Sequence, residues 1–195
     1  MDRSEAHQHL ELVGKILSRT ESRIEYVPSL FIVWGFAAAI SDIVWQVSSS
    51  AFRAGTGAPP SNLMWLAAAA FVIAVVNQIL VVRRMQSADR RSLKGQQIGR
   101  MFGATFGTAM ILAYGAPQIF HGWAGPTMFN AAAAIALWFI AQQGDRRAGV
   151  ATGVMIASIL AAAWYEPLRG YILAAGWIVG YAGLGVAYAM PRRNG

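Results

Sequence analysis

Apolar residues along this chain do not alternate in the period of a soluble strand or form the one-sided stripe of a soluble helix. They come in long, nearly unbroken runs separated by short polar stretches. A run of about 20 apolar residues, at about 1.5 Å per residue, spans the roughly 30 Å hydrocarbon core of a bilayer. Six runs reach that length or approach it: 28–49, 61–82, 101–120, 126–142, 149–165 and 170–190. The fifth is short, and "YEPLRGY" joins it to the sixth as a hairpin with a proline turn. The pattern predicts an all-α integral membrane protein with a bundle of six transmembrane helices over 27–190. A cytoplasmic segment over 1–26 precedes it and a short cytoplasmic tail over 191–195 follows.

The N-terminal segment has a different period. Residues 4–26 carry Leu10, Val13, Leu17 and Ile24 on one stripe, with charged residues around the rest, and Ser4 stands where a helix cap belongs. This reads as an amphipathic helix. One reading lays it on the membrane surface. The other makes Leu10, Val13 and Leu17 a docking face for a cytoplasmic protein or a second copy of the chain. Five acids in residues 1–26 and the length of the first apolar run argue against a cleaved signal peptide, so the first run is expected to remain as a span.

Composition supports the membrane reading. Hydrophobic residues make up 56% of the 195 positions and charged residues 13%, against about 25% charged in a typical soluble domain. With no cysteine, disulfides, thiolate metal sites and cysteine nucleophiles are excluded. The net charge of +7 would suit nucleic acid, but its distribution points elsewhere. Fourteen of the 16 basic residues fall in the N-terminal segment, the 83–100 and 143–148 loops and the tail, and only Arg53 and Arg169 fall on the other side. Cytoplasmic loops are enriched in Lys and Arg, so both termini are expected in the cytoplasm. The basic loops then meet lipid headgroups, and no nucleic-acid partner is expected.

Polar residues inside the runs are the candidates for chemistry. Asp42 lies about 20 Å along the first span from its cytoplasmic end. Asp42, Gln46 and Ser49 are spaced i, i+4, i+7 and share one helix face, which should turn from lipid into the bundle or a wet cavity. His121 and Glu166, on the same side of the membrane, are candidates to join Asp42 and Gln46 in a ligand, proton or cation site. Against that stands a structural use, an acid hydrogen-bonded within the bundle or reaching the headgroups. Asn77, Gln78 and Asn130 read as helix-to-helix hydrogen bonds. Small residues four apart, at Gly103 and Gly107, at Gly149 and Gly153, and at Gly176 and Gly180, are expected to let helix backbones approach closely. His7 and His9 in "HQH" point about 200° apart on a helix and cannot share a metal ion there. No catalytic motif is present, and no catalytic residue, metal or cofactor is expected.

At "ESRIEYVPSLFIVWG" (21–35) the chain resembles small, uncharacterised bacterial multi-pass inner-membrane proteins. These begin with a charged helix and enter their first span through a Phe-x-x-Trp-Gly-like run. The resemblance covers only the N-terminal part of the chain. It implies the inner membrane of a bacterium and assigns no activity. The expected function is therefore a non-enzymatic membrane protein that acts by interaction, as a sensor, regulatory or assembly subunit. The alternative is a small solute, proton or cation transporter or channel using the Asp42 face.

Overall fold

The computed structural model describes residues 28–55, 61–84, 93–115 and 124–190. Helix α1 runs Pro28–Arg53, α2 Ser61–Arg84, α3 Leu93–Gly115, α4 Ala124–Ala141 and α5 Arg146–Trp164. A 3-10 turn, Glu166–Leu168, then leads into one continuous rod made of α6 (Arg169–Gly176), a π-helical segment (Trp177–Ala182) and α7 (Gly183–Ala189). Among the described residues there is no strand. The amphipathic stripe of 4–26 and the tail lie outside them.

Local chemistry explains several helix ends. Pro28 opens α1, where its missing N–H is no loss. Asp145 caps α5, accepting from the backbone N–H of Arg147 at 2.9 Å and of Ala148 at 3.4 Å, so α5 starts three residues before the expected 149. The turn between α4 and α5 passes through Gly144 at φ +92°, a left-handed conformation that suits a residue without Cβ.

Helix α1 is the hub. It packs against α2, α6, the π segment and α7, while α5 lies along the other side of the α6–π–α7 rod and along α4. Helix α3 leans on α4, with Phe102 and Phe106 against the central cluster. That cluster joins Phe31 and Ala39 of α1, Ala133, Ala134, Leu137 and Ile140 of α4, Ala148, Ala151 and Met155 of α5, and Ala174, Trp177, Tyr181 and Leu184 of the rod. Its many alanines let the helices approach closely. Among the described side chains of α2 only Ala74 and Val81 are buried, and Trp65, Phe71 and Ile73 stand more than half exposed. Apolar exposure on this scale is a surface made for lipid.

Five helical stretches are long and apolar enough to cross a membrane: Pro28–Arg53, Asn62–Val81, Ala124–Gln142, Arg146–Trp164 and Glu166–Ala189. The protein is thus an all-helical, membrane-embedded bundle. The third expected span, 101–120, is not among the five. Its helix begins in the polar stretch "LKGQQIGR", and the apolar residues beyond Gly115 lie outside the described part.

The small residues divide. A Cβ on Gly176 would collide with Ser158 Oγ and sit 2.7 Å from Ser158 Cβ, and one on Gly180 would sit 3.1 Å from Met155 Cγ. The rod and α5 therefore touch at these two glycines. Gly149 faces Ala141 at an ordinary 3.7 Å. Gly103, Gly107 and Gly153 do not serve close packing: a Cβ there meets nothing within 4 Å among the described residues. The reason at Gly153 is register, since α5 turns Ala148, Ala151, Thr152, Met155 and Ser158 inward and leaves Gly153 exposed. Comparably close contacts, here to backbone, fall at glycines whose spacing singles out nothing. Gly35 would place a Cβ 2.8 Å from Ala182 Cβ and N, and Gly185 would place one 2.7 Å from Pro28 O and Ile32 Cγ1.

Candidate functional site

The Asp42 side chain is built into the interior, with the residue only 5% exposed. Helix α4 supplies one partner: Asn130 Nδ2 donates to Asp42 Oδ2 at 3.1 Å and also to its own helix at Pro126 O, 3.1 Å. The π segment supplies the other through Trp177, whose side chain also hydrogen-bonds to Asp42. Three elements distant in sequence thus converge on one carboxylate. Magnitudes explain why the acid is tolerated. An acid at a span centre costs about 2.5–3.5 kcal/mol on insertion scales, and hydrogen bonds to a charged group return about 1.5–3 kcal/mol each. The donors can offset the penalty, and no cation is needed. Among the described residues the one ion pair is elsewhere, between Arg53 and Glu166.

One polar atom in this cluster is unmatched. Asn130 Oδ1 is buried and has no hydrogen-bond partner among the described residues. It faces the bare backbone of Gly176, where a Cβ would lie 3.8 Å away, and Ser158 is packed against the same glycine. Ser158 itself turns its hydroxyl to Met155 O at 2.7 Å.

One helical turn beyond Asp42, Gln46 has a clear mechanical role. Its Nε2 donates to Pro167 O at 3.0 Å and to Ser50 Oγ at 3.3 Å, and its Oε1 accepts from Gly170 N at 2.9 Å. Gly170 lies in the first turn of α6, where backbone N–H groups have no partner within their own helix. Gln46 caps that helix from α1. A depression of about 440 Å³ opens above it, lined by Gln46, Ser50, Arg53, Ala54, Glu166 and Pro167. At its rim Arg53 Nη1 meets Glu166 Oε1 at 3.3 Å, with both side chains more than half exposed.

Of the four residues expected to form one site, Asp42 and Gln46 share a buried face and Glu166 stands at the mouth above them. His121 lies outside the described residues. The structure adds Asn130 and Trp177 as direct partners of Asp42. Asn130 reads in the sequence only as a helix-to-helix amide. The signal for Trp177 is an indole N–H in the interior of a span, a donor that must find an acceptor when buried. Among the described residues no group of three or more acidic or histidine side chains gathers to hold a metal.

Polar ties at two junctions hold the opposite end. Trp34 Nε1 donates to Gln78 Oε1 at 3.0 Å and Asn77 Nδ2 to Ser29 O at 3.3 Å, fastening the start of α1 to the end of α2. Asp145 Oδ2 accepts from Tyr188 Oη at 2.9 Å, and the Arg147 guanidinium donates to Ala187 O, fastening the start of α5 to the end of α7. The chain matches no family model, no curated protein and no solved structure.

Proposed function

We propose that this protein is a bacterial inner-membrane protein with six spans and both termini in the cytoplasm, and that it acts by interaction, as a sensor or regulatory subunit, without catalysing a reaction. The observation that carries this reading is the position of α1. The helix that contacts α2, α6, the π segment and α7 is the one next in sequence to the charged segment 1–26. A change along that hub is carried to the Pro28 end of α1, the end that the N-terminal stripe precedes in the sequence. Leu10, Val13 and Leu17 are then the surface offered to a cytoplasmic protein or to a second copy of the chain. Each is worth at most about 1.5–3 kcal/mol on burial, which suits a reversible contact. The test is a photocrosslinker placed at Lys15 in living cells. Adducts with one cytoplasmic protein, or with a second copy, should form in the wild type and vanish when all three residues become serine, while the purified bundle melts unchanged. Crosslinks unaffected by the triple change would refute the reading.

The burial of Asp42 beneath the Gln46 depression favours a second reading, movement of a proton or small cation through the bundle. In reconstituted vesicles with an internal pH dye, that reading requires flux that Asp42→Asn abolishes and the Leu10, Val13, Leu17 triple change leaves intact.

A further inference from the structure

We propose that the Asp42–Asn130–Trp177 cluster is a proton-binding site whose occupancy α1 carries to its Pro28 end. The inference rests on the interaction reading for its output only.

The first support is the company Asp42 keeps. From α4 it meets Asn130 and from the π segment Trp177, neither of which carries charge. Tyr181, one turn along the same segment, sets its ring against Phe31 and Trp177, at 5.2 Å from each. Helix α6 begins with Arg169, whose guanidinium donates to Ala162 O at 3.0 Å, and its buried residues are Gly170, Leu173, Ala174 and Gly176, with Ser158 of α5 packed against Gly176. The amides of α2, Asn77 and Gln78, tie the other end of α1, at Ser29 and Trp34. The next charged residue of α1 is Arg53, eleven positions on. Among the described residues no basic side chain bonds to this carboxylate, and it then has one simple way to lose its charge, which is to take a proton from water.

The second support is the unmatched Asn130 Oδ1. An ionised carboxylate only accepts hydrogen bonds, while a protonated one carries an O–H donor. The present arrangement, with Nδ2 turned to Asp42, serves the ionised form. When a proton adds to a carboxylate oxygen, the new hydroxyl needs an acceptor, and one without a donor stands on the same amide. Turning that amide about its Cβ–Cγ bond brings Oδ1 to Asp42 and breaks the Nδ2 bonds to Asp42 and Pro126. A charge-assisted bond between α1 and α4 is then exchanged for a neutral one of roughly half the strength. Access comes from the depression above Gln46, about 6 Å or one turn from Asp42.

The third support is the route onward. Between Asp42 and Pro28, α1 touches the rod through Gly35 against Ala182, and through Ile32 and Pro28 against Gly185, all at backbone distance. Trp177 begins the π segment in that same rod. Segments of this kind occur often at functional sites. Contacts this tight leave little slack, so a shift at Trp177 is passed to the start of α1 and not absorbed locally.

Infrared difference spectra of the purified full chain, taken between acid and alkaline pH, should contain a protonated-carboxyl C=O band that is lost in Asp42→Asn. Asp42→Glu should keep a displaced band, which guards against a loss caused by misfolding. With a single cysteine at Ser29, the rate of thiol labelling should change severalfold with the same pH midpoint and become flat in Asp42→Asn. Absence of a band assignable to Asp42 would overturn the site. A band with flat labelling at Ser29 would overturn the transmission, and proton flux in vesicles that depends on Asp42 would replace sensing by transport. Failure of the interaction reading shows separately, as crosslinks at Lys15 that survive the triple serine change while the Asp42 band persists.

Discussion

The sharpest stability test lies where α1 meets the end of the π segment. Gly35→Ala adds one methyl group directly against Ala182, whose Cβ and backbone N would both lie 2.8 Å away. Backbone atoms cannot rotate aside, so reaching ordinary contact requires the two helices to part by roughly 0.6 Å along their shared face, the kind of overpacking that costs about 1–3 kcal/mol. Alanine recovers about 0.5–1 kcal/mol through better helix propensity. The net expectation is a loss of up to about 2 kcal/mol. The control is Gly103→Ala, where a Cβ meets nothing among the described residues and the propensity gain is unopposed. In a soluble domain of this size about 1 kcal/mol moves the melting point by roughly 2–4 °C, and a drop of that order is expected for Gly35→Ala in detergent. Gly103→Ala should melt at or slightly above the wild type. If Gly35→Ala also matches or exceeds the wild type, α1 and the π segment are not in backbone contact and the hub assignment falls.

Gln46→Leu should destabilise the bundle by about 1–3 kcal/mol, because it leaves the buried Gly170 N–H without a partner and removes the bond to Pro167 O, and detergent melting would show a small or absent effect if the cap is unimportant. Asp145→Ala should cost about 0.5–2 kcal/mol through the lost N-cap of α5, with Tyr188→Phe losing less since it removes only the tie to α7; equal losses would mean that the cap contributes nothing. Arg53→Ala should change stability by no more than about 1 kcal/mol, and less at high salt, since both members of its ion pair are solvent-facing. For orientation, a single cysteine at Gly55 should react with an impermeant thiol reagent in intact cells and one at Gln143 should not, and the reverse pattern would invert the proposed topology.

Hydropathy and charge placement along the chain were enough to determine a helical membrane bundle, because each span must satisfy its own backbone hydrogen bonds and cover itself with apolar side chains, and both properties are local. The hairpin at "YEPLRGY" was legible for the same reason, as was the polar face bearing Asp42 and Gln46, which follows from helical spacing alone. Which glycines lie at close contacts was not. Gly149 and Gly153 repeat every four residues as Gly176 and Gly180 do, yet only the second pair is held at close range to a neighbouring helix; spacing defines a face and does not say what the face meets. Gly35 and Gly185, with no glycine four residues away, take comparably close contacts because α1 crosses the rod there. The choice of Asn130 and Trp177 as partners of Asp42 was equally a matter of tertiary structure. They lie 88 and 135 positions away along the chain, and only the packing of α4 and the π segment onto α1 brings their N–H groups to one carboxylate. A membrane span can be read one helix at a time, whereas a buried acid is tolerable only where several helices meet to hydrogen-bond it.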